Sequence, residues 1–245
     1  MRKGWKPIEE LGDVVMGLSP KGSTYNKIGI GTPLLNGPTE FGVHHPHCTL
    51  FTTDPKRICK KGDLIFCVRG STTGKMNFAD GEYALGRGVC SIRGENLLTT
   101  RFIKYAIDFL LFKLLSLTGG STFPNLKAED IKSFKVPYSK NILKIAKILS
   151  AYDDLIENNL KRIKLLEEMA QITYEEWFVR MRFPGHETAE WNEESGLPVG
   201  WERKKLGEVC TLEKDSIKSL EYGSKMPYIG LEHIPRKSMT LDSWE

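Results

Sequence analysis

The 245-residue sequence lacks any long hydrophobic run. Its most apolar stretch, Phe102 to Leu117, is broken by Lys104, Asp108 and Lys113, whereas a membrane helix needs about 20 predominantly apolar residues. The opening MRKGWKPIEE has no apolar segment of its own, so it does not read as a secretory leader. Cysteine is sparse, at positions 48, 59, 67, 90 and 210, with no Cys-x-x-Cys pair. That usage reads as reduced thiols in a cytoplasmic protein. Catalytic fingerprints are missing as well. There is no GxxxxGK[ST] loop, no HExxH and no GxSxG, and Gly29 and Gly31 fail GxGxxG because position 34 is Leu.

What is present is an ordinary globular balance, 40% hydrophobic and 27% charged, which excludes a disordered or collagen-like chain. The formal net charge of +4 hides a gradient. Residues 1–140 hold 20 Lys and Arg against 12 Asp and Glu, residues 141–183 hold 7 against 7, and residues 184–245 hold 8 against 12. A basic N-terminal module suggests a polyanionic partner, with nucleic acid the first choice. A lysine-rich solubility surface is the alternative.

A long-range repeat is visible. Gly4-Trp5 and Leu11-Gly12-Asp13-Val14-Val15 return as Gly200-Trp201 and Leu206-Gly207-Glu208-Val209-Cys210, and Pro33-Leu34-Leu35 returns as Pro227-Tyr228-Ile229. The offset drifts from 196 (Trp5 to Trp201) through 195 (Leu11 to Leu206) to 194 (Pro33 to Pro227), as small loop deletions would produce. The expectation is one complete unit followed by the incomplete start of a second at 200–245.

The middle of the chain is strongly periodic. Ile142, Ile145, Leu149, Tyr152, Ile156, Asn159, Ile163, Leu166, Ala170, Thr173 and Trp177 follow a 3,4,3,4 spacing, the a/d seam of a coiled coil. Ile148, Leu155, Leu160 and Met169 widen the stripe. A helix over 142–180 would span roughly 58 Å. A break near Ser150 is suggested by a capping-box pattern in Ser150-Ala151-Tyr152-Asp153, and Phe183-Pro184-Gly185 should end the helix. Asn159 in the seam would fix register or partner, a merely solvated Asn at a loose spot being the alternative.

The N-terminal module reads as α+β, with short strands at Val14–Leu18, Ile28–Leu35, Leu64–Val68 and Val89–Ile92. An amphipathic helix over Thr100–Leu115 follows, and a short one begins near Leu126. Turns fall at 19–22, 36–38, 61–63 and 80–81, with Asp63 expected to cap its turn. The predicted organisation is a β-rich module with flanking helices at 1–140, a long helical region at 141–183, a polar linker at 184–199 and the incomplete unit at 200–245.

Three loops carry nucleic-acid-like chemistry. Arg69-Gly70-Ser71-Thr72-Thr73-Gly74-Lys75 sets a forked donor, three hydroxyls and a point charge between glycines. Hydroxyls and Lys suit phosphate oxygens, and Arg suits guanine edges or phosphates. Arg87 stands between Gly86 and Gly88, and Ser121, Thr122, Asn125 and Lys127 form the third set. For each, an ordinary turn with an exposed cation is the competing reading. His44, His45, His47 and Cys48, with Glu40, are the one metal-like cluster. A metal-dependent hydrolase or transferase built on them is a rival reading, as is a coiled-coil scaffold that never touches nucleic acid.

These segments resemble the specificity subunit of type I restriction–modification systems. Four pieces carry the resemblance: Gly62-Asp63-Leu64-Ile65-Phe66 with Arg69-Gly70-Ser71 and Gly74-Lys75; Gly120-Ser121-Thr122-Phe123-Pro124-Asn125-Leu126 with Asp130-Ile131 and Val136-Pro137; Lys147 to Glu157 with Leu166 to Gln171 and Trp177-Phe178-Val179; and Leu197 to Trp201. The resemblance implies a first target recognition domain that reads half of a split site in double-stranded DNA. It implies a helical spacer on which modification (methyltransferase) subunits dock, and a second recognition domain that here ends early. It also implies a separate restriction subunit that translocates and cuts. Catalysis and S-adenosylmethionine would belong to the partners, so this chain would be a non-catalytic reader with no cofactor of its own. The seam requires a partner helix, and a second copy of this chain is the expected substitute for the missing second spacer.

Overall fold

The structure, a computed structural model, describes residues 4–118, 124–214 and 228–234. It divides into two compact units, residues 1–173 and 174–245.

Among the described residues the first unit holds eleven strands and three α-helices: β1 (Trp5–Pro7), β2 (Gly12–Met16), β3 (Tyr25–Asn26), β4 (Thr32–Leu35), β5 (Phe51–Thr52), β6 (Ile58–Cys59), β7 (Leu64–Cys67), β8 (Met76–Phe78), β9 (Tyr83–Leu85), β10 (Val89–Gly94), α1 (Leu97–Ser116), α2 (Ala128–Lys132), β11 (Lys135–Pro137) and α3 (Ile142–Tyr174). One sheet is antiparallel throughout, in the order β2-β10-β7-β8. The other is mixed, in the order β3-β5-β4-β9-β6, with β4 and β9 parallel. β1 and β11 form a separate antiparallel pair. The expected α+β class is therefore the class observed.

The alternation of β7 explains the layering. Leu64 and Phe66 face a core shared with Phe102, Ile103, Ala106, Ile107, Leu110 and Leu114 of α1. Ile65, on the opposite face, joins Leu35, Cys59, Tyr83, Leu85 and Val89 in a second core. A strand buried on both faces reads as a continuous apolar run, which is why Leu64-Ile65-Phe66 was legible as a strand. Asn96 caps α1 by accepting from the Thr99 amide (3.0 Å), so the helix starts before the expected Thr100. The strand expected from Ile28 begins only at Thr32, because Gly29 and Gly31 turn the chain with φ of 81° and 90°.

α3 is continuous through Ser150. The buried Ser150 hydroxyl donates to Lys147 O (3.3 Å) within the helix, so the capping-box pattern does not break it. The helix docks on the module through Ile142, Ala146 and Ser150, its buried positions. Ile142 thus belongs to the first core, not to the free seam, a correction that the 3,4 spacing alone did not reveal. No helix among the described residues is long and apolar enough to cross a membrane.

The second unit begins with a π-helical turn, Glu175–Val179. The Phe178 ring lies tilted against Tyr174 and Trp201 at 5.3 and 5.5 Å, and Phe183 stacks on Trp201 at 5.2 Å. A short hairpin pairs β12 (Trp191–Asn192) with β13 (Leu197–Pro198), so the polar stretch expected as a linker carries structure. Beyond it lies α4 (Leu206–Val209), and Leu206, Val209, Leu212 and Leu231 stand exposed. Among the described residues the two copies of the repeat differ at 206–209, which is helical where 12–16 is a strand. Residues 12–16 form a strand by pairing with β10, and the described residues offer 206–210 no such partner. Pro227 lies outside the described residues.

Candidate nucleic-acid interface

β7 and β8 are joined by the loop that holds Arg69 to Lys75. Gly70 and Gly74 adopt φ of 87° and 101°, and a Cβ on Gly74 would come within 3.0 Å of Leu111 on α1. The loop is closed at its neck by Cys67 N donating to Lys75 O and Gly74 N to Cys67 O, both at 2.9 Å. Hydrogen bonds then tie this loop to two others. Gly70 N donates to Pro124 O (3.1 Å), Leu126 N to Val68 O (3.0 Å) and Val68 N to Gly88 O (2.9 Å). Arg69 and Asn125 form an isolated antiparallel bridge. Arg87 N donates to Ser19 Oγ (3.1 Å).

Arg69, Lys75, Arg87, Asn125 and Lys127 therefore come from three loops that meet at one end of the antiparallel sheet. Each of these side chains is exposed, as is Ser71. Among the described residues, none of the four cations makes an ion pair. Glycine is required beside Arg87, since a Cβ on Gly88 would sit 2.2 Å from Asn36 O and one on Gly86 2.4 Å from Asn36 Oδ1. Lys127 is anchored by its own backbone, its amide donating to Asp130 Oδ2 (2.7 Å), which leaves its ammonium free.

Not every expected contact residue points outward. Thr73 is 9% exposed, and its hydroxyl lies 2.7 Å from Gly70 O and 3.1 Å from Pro124 O. It stitches two loops together. Thr72 is half-buried with its hydroxyl 3.7 Å from Cys67 Sγ. Ser121 and Thr122 lie outside the described residues. Ser19, which holds Arg87 in place, was missed because nothing in a Ser-Pro-Lys-Gly turn signals a partner 68 residues away.

Two other arginines of the module are fully engaged. Arg93 Nε and Nη2 donate to the Asp63 carboxylate at 2.6 and 2.7 Å. Asp63 is 1% exposed and also accepts from Lys60 N (2.9 Å), so it does cap its turn. The Asp63 carboxylate raises the Arg93 pKa. Arg101 forks onto Asp154 of α3 at 2.6 and 3.0 Å, and Tyr105 OH donates to Asp153 (2.6 Å).

The metal-like cluster does not converge. Among the described residues no group of three or more His, Cys, Asp or Glu is placed to hold a metal ion. His45 Nδ1 lies 2.8 Å from Phe78 O and its Nε2 3.3 Å from Glu157 on α3. Burial pushes the Cys48 thiol up to about 12, which removes it as a nucleophile near neutral pH. The metal-dependent enzyme is not supported.

The seam of α3 carries the other exposed chemistry. Ile145, Leu149, Tyr152, Ile156, Ile163 and Leu166 are all exposed, from 40% at Leu149 to 65% at Tyr152, and Asn159, Ala170 and Thr173 lie on the same exposed stripe. Trp177 falls beyond α3, in the π turn. Contiguous apolar surface of this extent marks an interaction site.

A model of the type I restriction modification DNA specificity domain matches residues 3–168. A Methanocaldococcus jannaschii protein described as the MjaX specificity subunit of a type I restriction enzyme is 33% identical over 172 residues, covering 67% of this chain and 40% of that protein. The type I restriction enzyme MjaIX specificity subunit of the same organism is 30% identical over 188 residues, covering 73% and 43%. Among solved structures, the HsdS subunit from Thermoanaerobacter tengcongensis superposes with a TM-score of 0.53 at 26% identity, covering 68% of this chain and 40% of that one. The chain thus spans about two fifths of the length of the relatives it matches.

Proposed function

The chain belongs to the family of type I restriction–modification DNA specificity domains, and on that premise we propose that residues 1–140 read one half of a split double-stranded DNA target. The observation that carries this reading is the gathering of four cations that pair with no acid among the described residues, Arg69, Lys75, Arg87 and Lys127, beside Asn125 on loops that the hydrogen bonds above lock together. Lys75 and Lys127 suit phosphates, and Arg69, Arg87 and Asn125 have the forked or amide geometry that reads base edges. Ser71 adds a phosphate-type hydroxyl, and Thr72 and Thr73 hold the loop in shape.

The chain itself is a non-catalytic reader that works in the cytoplasm. The helical region 141–183 serves as the spacer. Its exposed seam takes a second copy of this chain, and the modification subunits dock on the same region, bringing S-adenosylmethionine and methylating adenine. The restriction subunit joins that assembly. Exposed Ile and Leu at 3,4 spacing support a helical partner, and sedimentation at micromolar concentration should report a dimer. Ile156→Asp with Ile163→Asp places charges in the seam and should return a folded monomer. A wild-type chain that stays monomeric would remove the second-copy reading.

The test of the reading as a whole is co-expression with a type I modification subunit, followed by mapping of methylated adenines. Methylation at a defined half-site, altered by Arg69→Ala or Arg87→Ala, is the expected result. If Arg69→Ala, Arg87→Ala, Lys75→Ala and Lys127→Ala all methylate like the parent, the DNA face lies elsewhere.

A further inference from the structure

The segment between β3 and β4 holds an apolar side chain out into solvent by a specific device. Asn26 Nδ2 donates to Ile30 O (2.7 Å) while Ile30 N donates back to Asn26 Oδ1 (3.0 Å), closing residues 26–30 into a ring. Gly29, at φ 81°, makes the turn, and Gly31, at φ 90°, seats its base so closely on Thr52 that a Cβ there would stand 2.2 Å from Thr52 O. The tip of this ring is Ile28, 78% exposed. Burying an isoleucine is favourable by about 1.5–3 kcal/mol, so a ring that holds one outward presents it to something.

The surroundings identify what. Residues 14–39 contain no Asp or Glu, and their only charges are Lys21 and Lys27, both exposed. The strand that leads into the ring is tied to the segment that meets the Arg87 loop. Tyr25 OH donates to Pro20 O (3.2 Å), and the neighbouring Ser19 Oγ accepts from Arg87 N (3.1 Å). An apolar tip flanked by lysines, within a stretch of sequence free of acid and with the nearby Asp54 neutralised by Lys56 (2.6 Å), matches a polyanion that opens an apolar gap. Duplex DNA does this when an aliphatic side chain enters between two base pairs and unstacks them.

We propose that Ile28 is a wedge that inserts at a base step of the bound duplex, with Lys27 and Lys21 on the flanking phosphates. The proposal rests on the DNA-reading assignment above and adds to it a contact that reads how easily a step deforms, not which base edges it shows.

The experiment titrates the full chain into short fluorescein-labelled duplexes, one fully paired and one with a single mismatched step, at several salt concentrations. A mismatched step is already partly unstacked, so the wild-type chain should bind that duplex about tenfold more tightly. Ile28→Ala should lose the preference while keeping the wild-type salt slope, and Ile28→Leu should restore it. Lys27→Ala should lower the slope by about one phosphate contact and keep the preference. Ile28 is exposed, so its variants should melt like the parent. If the wild-type chain binds in a salt-dependent way and Ile28→Ala retains the preference, the wedge is overturned and DNA reading stands. Binding that is absent or indifferent to salt overturns both. If Ile28→Ala leaves DNA binding intact but weakens capture of a purified modification subunit, the tip is a protein-docking element and the wedge is wrong.

Discussion

Arg93 and Arg101 differ from Arg69 and Arg87 in what surrounds them, although all four lie within one unit. Arg93 and Arg101 end on carboxylates, Asp63 and Asp154, in two-pronged contacts of 2.6–3.0 Å. Among the described residues Arg69 and Arg87 end on no acid, and their loops are shaped by Gly70, Gly74, Gly86 and Gly88. The first pair joins elements of the unit to each other. The second is held by its backbone alone, through the Asn125 bridge and Ser19, so that both guanidinium groups stay available. A cation's role in this protein is therefore set by whether an acid reaches it, and the net charge of the module is only a coarse sign of that.

The contrast can be broken or sharpened by substitution, and the largest effect belongs to Arg93. Arg93→Ala leaves the Asp63 carboxylate buried without its partner, and stability to urea should fall by about 2–3 kcal/mol, less than for a fully enclosed pair because the guanidinium is partly solvated. Arg69→Ala and Arg87→Ala should leave the urea midpoint where it is. Their loss should appear as weaker discrimination between cognate and altered targets, by about 1–3 kcal/mol for a guanidinium that reads a base. Arg101→Ala cuts a more exposed pair between α1 and α3, and about 1 kcal/mol or less is expected.

The smallest effect is electrostatic. Lys161, and after it His45, hold the Glu157 carboxyl below its usual pKa. A lowered folded-state value means that the contribution is present above the ordinary carboxylate range and is lost as pH falls through the lower folded value. Glu157→Gln should remove only a few tenths of a kcal/mol at neutral pH, and the difference from wild type should vanish in acid.

How much of this was legible depended on whether a residue's role is local. Leu64-Ile65-Phe66 announces a strand because its burial is written in consecutive apolar residues, and Val89 to Ile92 does so with only Ser91 breaking the run. Tyr25–Asn26, Phe51–Thr52 and Ile58–Cys59 are strands of two residues each, too short for any period to show. The loop cations were recognisable from glycines and hydroxyls beside them. That Arg93 is spent on Asp63, 30 residues away, and that the Thr73 hydroxyl is spent on Pro124 O, 51 residues away, were not, because pairing across a fold leaves no local mark. Ile142 shows the same limit. Heptad spacing places it in the seam, and the end of the first core claims it instead.

The most direct test of the central claim, that the unpaired cations form the DNA face, is the salt dependence of duplex binding for the wild-type chain and for Lys75→Ala with Lys127→Ala. Each lysine on a phosphate contributes about 0.9 to the slope of log affinity against log salt. The slope should be shallower by about 2 in the double variant, with the melting temperature unchanged. An unchanged slope in a folded variant would contradict it.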